Sequence, residues 1–550
     1  MADFLWQNKR EKILPARFKQ LYGEDNHLQL TDQLTVYGFD KTYFHHNREN
    51  GDFIVSIGAC YYPGKTIINT LEEILQTGTF NQATIANLKM KLVGQYILII
   101  KKDHCLYFFS DNWQVRQIFY SKDKKIIGSS FSVLEDYLGT GRDFLDPYKV
   151  FEYLAIHYIF YYPGWINKGT MHKEIFFLRP FQYIEIDMTR LHVEIKSLQF
   201  RIDNKREMQL ASLSSRFVDT LGQVIENPGF RDQPVGLTLT GGYDSRLISS
   251  IAARYYEKSE PRVGISREIP FSQKDAAIAE KVARRLKRPL RKLATTVNAK
   301  ETFDFYTEGM SPVQNFIITP IIEDSGRYTV GFGGIFGTEL FKPIPEYANM
   351  PDFVMKRIAH ARTFMKADEN LWQQLEAAIN EEFHNLEKHY LLSEKNINDY
   401  IRILHLLDTG FFGSFMLAPY NIKGLQVEPY GHFKIVDLVM KLPSSFKPGS
   451  LLMSGGFFQK QALAKVNYPV GKIITTHKRP MLPMTIRTLP VYLYGYFLDK
   501  CRIYFHIFKN RLVRKKGSLQ QDFECILDDI HHIPNGTEVL FKKRIEKKYQ

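Results

Sequence analysis

The densest chemistry in the chain lies in Leu237-Thr238-Leu239-Thr240-Gly241-Gly242-Tyr243-Asp244-Ser245-Arg246. An apolar run, two glycines and a helix-forming stretch follow one another. Adjacent glycines let the backbone turn tightly and let a ligand come close. The helix predicted from about Ser245 turns its free N–H groups and positive dipole end back toward that turn. Thr240 and Ser245 add hydroxyls. Together these make a cradle for a pyrophosphate. Asp244 is placed to hold the magnesium that accompanies phosphates. No GxxxxGKS or GxxxxGKT run occurs, so this is not a Walker A loop. Two glycines alone more often mark a plain turn, but the polar set TGGxDS between a strand and a helix argues against that reading. Arg246 either adds phosphate charge or lies exposed in the first helical turn.

The elements that must position this segment are legible in outline. Residues 31–135 alternate as a sheet-rich region. GDFIVSIGACYY (51–62) reads as a strand, and Gly94–Ile100 with Cys105–Ser110 as a hairpin around Lys101–His104. Two short strands flank a charged turn in RQIFYSKDKKIIGSS. Residues 147–158 read as a helix, and IFFLRPFQYIEIDM and LHVEIKSLQF as further strands. Residues 1–30 give no clear pattern. Near residue 205 the period changes from 2 to about 3.6. Leu210, Leu213, Phe217, Leu221 and Val224 then form one apolar stripe of an amphipathic helix. After it, strands alternate with helices: the TGGYDS unit, RVGIS (262–266) with KDAAIAEKVARRLK, and a short strand at Tyr328–Gly331. That alternation predicts a parallel sheet in an α/β domain. Residues 352–442 read as mostly helical.

Composition excludes several classes. The chain has 550 residues, 44% hydrophobic and 24% charged, ordinary for a folded multidomain protein. Its four cysteines, Cys60, Cys105, Cys501 and Cys525, form no CxxC pair, which argues against a zinc ribbon or a disulfide scaffold. The start meets charge within ten residues, and no run is long and apolar enough to span a bilayer. The expectation is a cytoplasmic protein. The net charge is +14. Residues 501–550 carry 11 Lys/Arg against 6 Asp/Glu, so part of that excess is local.

Thr240–Ser245 resembles the SGGxDS pyrophosphatase motif of the asparagine synthetase-like family. The resemblance runs in order along residues 30–490. Gly264–Leu286, with Asp275, Ala279 and Ala283, is similar to the family's second strand and helix. Gly333-Gly334-Ile335-Phe336-Gly337-Thr338-Glu339 resembles its second phosphate-side loop. Val427-Glu428-Pro429-Tyr430 with Leu442-Pro443, Lys460 in FFQKQALAK, and His477-Lys478-Arg479-Pro480 are similar to its later segments. Gly94-Gln95-Tyr96, Asp111, Arg116 and Ser129-Ser130 resemble its glutaminase-type domain.

The resemblance implies a fold and a set of roles. The fold would be an Ntn-hydrolase-like sheet sandwich over residues 1–200 and a doubly wound parallel-sheet ATP-pyrophosphatase domain with helical additions over 205–490. A basic, aromatic extension would cover 491–550. The activity would be an AMP-forming ligase: a carboxylate attacks the α-phosphorus of ATP, and a nitrogen nucleophile then displaces AMP. Leu239, Thr240, Gly241, Gly242, Asp244, Ser245, Gly264 and Gly334 would bind ATP. Asp244 and Glu339 would bind Mg2+, with Lys478 and Glu339 catalytic. Substrates would be a small-molecule or peptide carboxylate and an amine.

Three positions depart from the family pattern. Ala2 stands where the glutaminase half needs a nucleophilic cysteine, so glutamine hydrolysis by that route is not expected. Nitrogen would come from ammonia, a partner protein or an amine substrate. Thr338 replaces the family Asp, and Ile335 an acid of asparagine synthetases. These changes point away from plain asparagine synthesis, toward other amides or toward an inactive partner subunit. A tRNA-modifying enzyme is the other alternative, opposed by the glutaminase-like half. The aromatic and basic residues of Tyr492–Lys516 suit packing on the core first and an anionic membrane surface second, which would place the protein peripherally on the inner face. They suit nucleic acid least. His531-His532 has no ligands at metal spacing.

Overall fold

The structure, a computed structural model, describes residues 3–8, 15–160, 165–207, 209–266, 270–296, 298–299, 301–302, 318–341, 347–363, 365, 367–416, 423–442 and 457–474. Thirteen strands precede the change of period: β1 Asp3–Gln7, β2 His27–Gln29, β3 Leu34–Tyr37, β4 Tyr43–Asn47, β5 Phe53–Gly58, β6 Tyr96–Lys102, β7 Cys105–Ser110, β8 Phe119–Ser121, β9 Ile126–Gly128, β10 Ile175–Phe177, β11 Gln182–Asp187, β12 His192–Ser197 and β13 Phe200–Ile202. Twelve of them form two six-stranded antiparallel sheets, ordered β10-β8-β9-β1-β3-β2 and β12-β11-β7-β6-β5-β4.

The run Tyr96-Ile97-Leu98-Ile99-Ile100 explains how the sheets stack. It is apolar on both faces because both faces are covered. Ile97 and Ile99 meet Phe4, Trp6, Val55 and Phe108 between the two sheets. Tyr96, Leu98 and Ile100 face the other way, into the core shared with the helices. Phe4 stacks on Phe108 with ring centroids 5.3 Å apart. This is the expected sandwich of two antiparallel sheets. It includes β1, a strand that the sequence left unread, paired to both β3 and β9.

The second half is built on β14 Val235–Thr238, β15 Ser259–Ile265, β16 Arg291–Ala294, β17 Val330–Phe332 and β19 Leu425–Val427, all parallel and ordered β16-β15-β14-β17-β19. β18 Tyr390–Leu392 pairs instead with β13, tying the halves together. Within residues 352–442, read as helical, β19 supplies the outer strand of the parallel sheet. Three residues gave no periodicity to detect. The chain runs outward from β14 through β15 to β16, then returns to the other side of β14 for β17. The order therefore reverses between β14 and β17, where open α/β sheets bind ligands at the carboxyl ends of their strands.

The halves meet around Trp113. Its ring lies parallel to those of Tyr390 and Phe433, at 6.4 and 6.0 Å between centroids. Helix Ile397–Met416 crosses so close that a β-carbon on Gly410 would sit 1.6 Å from the Trp113 carbonyl oxygen. Backbone cannot yield as a flexible side chain can. Gly410→Ala is therefore expected to destabilise the folded chain by roughly 1–3 kcal/mol, read as a lower melting temperature. An unchanged melting temperature would contradict this seam.

Candidate active site

Two loops meet at the point where the strand order reverses. The first, Leu239–Tyr243, leaves β14 and enters helix Asp244–Tyr255. It is braced by its own polar groups. Thr240 N donates to Ser245 Oγ (3.1 Å), and the two hydroxyls lie 3.0 Å apart. Gly242 N donates to Thr240 Oγ1 (3.2 Å). Gly241 N donates to Asp275 Oδ1 (3.1 Å), on helix Pro270–Leu286. Burial pushes the Asp275 carboxyl up to about 6, against the pull of Gly241 N and Arg246. So the threonine, the serine and the Asp275 named from sequence share one network.

The second loop, Gly333–Phe336, leaves β17 and enters the short helix Gly337–Phe341, which carries Glu339. It lies directly on the first. A β-carbon on Gly334 would sit 2.8 Å from Ser245 N, and one on Gly337 would sit 2.4 Å from Asp244 Cγ. Phe336 takes a left-handed φ of 70° and is fully buried. Glu339 is 6% exposed. The two acids expected to hold magnesium therefore belong to adjoining loops. Mg2+ needs only one or two carboxylates when phosphates and water complete its shell. Two carboxylates are the donor type that such an ion takes.

Other expected residues fall as follows. Leu239 is fully buried, its N bonded to Arg262 O (3.0 Å). Gly264 lies on β15, next to the carboxyl end of that strand and opposite Leu293. Lys478 and the whole 491–550 extension lie outside the described residues. Arg246 is neither exposed nor aimed outward. It is fully buried and donates to Gly241 O (3.0 Å) and Ile473 O (2.8 Å), and burial brings its guanidinium down to about 10. It clamps the loop to the segment after helix Phe457–Gly471.

Three residues at the site carry roles that the sequence did not assign. On helix Phe457–Gly471, Gln459 Nε2 donates to Asp244 Oδ1, and buried Lys460 places its Nζ 5.2 Å from the Tyr243 ring centroid. A Gln-Lys pair inside an otherwise apolar helical stripe was the available signal. Glu428 follows β19 and is 2% exposed. Its carboxylate accepts from Ile335 N and Gln426 Nε2, both at 2.8 Å. Burial pushes it up to about 7, although both bonds oppose the rise. A separate cleft of about 430 Å³, between the β10–β11 region and helix Glu369–His389, shares no lining residue with these loops.

Residues 217–382 match the family model for asparagine synthase. Over that stretch the chain is similar to asparagine synthase. That match spans both glycine loops and four of the five strands of the parallel sheet, β19 lying beyond it. Two solved structures are also similar: a glutamine phosphoribosylpyrophosphate (PRPP) amidotransferase from B. subtilis complexed with ADP and GMP, and an allosteric regulatory enzyme of purine biosynthesis. Each is 12% identical to this chain, with a TM-score of 0.22. The alignments cover 54% and 49% of this chain, and 61% and 60% of theirs. This chain thus spans about three fifths of either. No curated protein matches the sequence significantly.

The buried Glu428 carboxyl is expected to make stability depend on pH. A raised folded-state value means its contribution to stability is full below the ordinary glutamate range and is lost as pH rises through about 7. Relative to Glu428→Gln, which does not titrate, the native chain is expected to lose on the order of 2–3 kcal/mol between about pH 5 and 8. Melting temperatures across that range check this, and parallel curves would refute it.

Proposed function

We propose that the chain is an ATP-dependent, AMP-forming amide ligase. A substrate carboxylate oxygen would attack the α-phosphorus and release pyrophosphate. Ammonia or an amine would then attack the acyl carbon and release AMP. The observation that carries this reading is the meeting of the TGGYDS and GGIFGTE loops at the reversal point of the parallel sheet, within the stretch similar to asparagine synthase.

Each part has a physical task. Charge accumulates on the transferring phosphorus and on the departing pyrophosphate, so the site must neutralise it without reorganising. The N-terminus of helix Asp244–Tyr255 and the hydroxyls of Thr240 and Ser245 would face pyrophosphate. Asp244 and Glu339 would hold Mg2+, which supplies charge neutralisation. Gln459 orients the Asp244 carboxylate. Lys478 would stabilise the transition state from the segment that follows helix Phe457–Gly471.

The nitrogen would come from outside the chain. The groups around the start of β1 support this. Asp3, at the start of β1, accepts from Tyr22 OH (2.6 Å) and Ser129 Oγ (2.7 Å), close to buried Arg116. No thiol is among them. Cys60 is buried elsewhere, its thiol pushed up by burial. The same proposal includes a carboxylate and an amine as substrates, an ammonia-donating partner and a cytoplasmic location. Among the described residues no helix is long and apolar enough to cross a membrane.

The test compares the native chain with Asp244→Asn, which keeps an acceptor for Gln459 and removes the charge. Mg-ATP at a hundredfold excess over its dissociation constant stabilises the folded state by about 3 kcal/mol. The native melting temperature is expected to rise and that of the variant to stay put. AMP release with candidate acids and amines then identifies the substrates. No native shift at millimolar Mg-ATP would overturn the ligase reading in favour of a partner subunit.

A further inference from the structure

We propose that the N-terminal sandwich positions the phosphate loops, through Gln95 and Trp113 acting on the segment Glu428–Gly431. The inference rests on the ATP-site reading above. Its basis is a continuous set of contacts from one half of the chain to the other.

Gln95 stands just before β6 and is 4% exposed. Its Oε1 accepts from Glu428 N at 2.8 Å. Trp113 Nε1 donates to Gly431 O at 2.5 Å. The segment between those two anchors touches the second glycine loop and the start of the helix that follows the first. At one end the Glu428 carboxylate accepts from Ile335 N, and a β-carbon on Gly333 would sit 2.1 Å from Glu428 Oε1. Next, Tyr430 OH donates to Asp244 O (3.3 Å), on the first residue of the phosphate-facing helix. At the other end Gly431 is pressed between rings. A β-carbon there would lie 3.1 Å from Phe336 and 3.3 Å from Trp113. Phe336 is the residue held at left-handed φ in the second loop.

The Glu428 carboxylate is held by an amide and a backbone N–H, both neutral donors, so hydrogen-bond geometry sets its place. Geometry is what a preorganised phosphate site requires, because a small displacement of donors forfeits their effect on developing charge. Gln95 and Trp113 fix that geometry from outside the parallel sheet. They touch no ligand themselves and are positioning residues. A retained sandwich would then serve the parallel-sheet half whether or not it hydrolyses glutamine.

Other contacts across the same seam lead away from the loops. Tyr61 OH donates to Val224 O at 2.9 Å, on the buried face of helix Leu210–Ile225. It therefore supplies the control. Mg-ATP is titrated calorimetrically into the full-length native chain and the variants Gln95→Met, Trp113→Phe and Tyr61→Phe, with melting temperatures measured without nucleotide. Each variant loses one hydrogen bond, so all three are expected to melt a few degrees lower. Gln95→Met and Trp113→Phe should also weaken Mg-ATP binding roughly three- to tenfold, the size of one bond's net effect. Tyr61→Phe should bind as the native chain does. Native-like binding by both Gln95→Met and Trp113→Phe would overturn the positioning role, as would equal weakening in all three variants. A native chain that binds no Mg-ATP would instead overturn the ATP-site reading, and this inference with it.

Discussion

The site depends on one steric constraint: two loops approach each other where no β-carbon fits. Gly334 abuts the backbone of Asp244 and Ser245, and Gly337 abuts the Asp244 side chain. That approach fixes the end of β17 against the end of β14 and brings Glu339's helix to Asp244. A side chain at either glycine would push the loops apart and open the cradle. The parallel sheet supplies the coarse spacing, and the glycines supply the last few ångströms. Gln459 and Tyr430 then act on Asp244 from a third and a fourth element.

The electrostatics around this contact are lopsided. Asp244, Asp275, Glu339 and Glu428 gather at or near the two loops. Arg246, the cation inside the motif, is spent on carbonyl oxygens. An acid-rich site suits phosphate only when a divalent cation accompanies it, because the ion reverses the local charge balance. Burial raises the Asp275 and Glu428 carboxyls against the pull of their hydrogen-bond donors, which favours their neutral forms.

The two halves of the chain share more than a linker. β13 pairs with β18, Trp113 stacks between Tyr390 and Phe433, and Gln95 reaches Glu428. Buried aromatic stacking and buried hydrogen bonds at a seam resist separation, because breaking them exposes apolar area and leaves polar groups unpaired. A sandwich joined in this way can be retained for what it holds in place.

The sequence by itself determined the alternation of elements, the TGGYDS turn and the similarity of residues 217–382 to asparagine synthase. Those signals are local: periodicity, adjacent glycines, and a hydroxyl-bearing motif between strand and helix. It also named Asp275 and Glu339, though not what they touch. Tertiary structure decided the rest. β1 and β19 are short, and their strand state comes from ladder partners distant in sequence, so no local pattern marked them. Arg246 looks like a solvent-facing or phosphate-facing residue in its own helix. It is buried because Gly241 and Ile473, residues on either side of it in the chain, converge on its guanidinium. Glu428, Gln459 and Lys460 became site residues only because strands and helices far apart in sequence end at the same edge of one sheet. Sequence records residue type and spacing along the chain, whereas a site is set by which strand ends share an edge, and packing alone decides that.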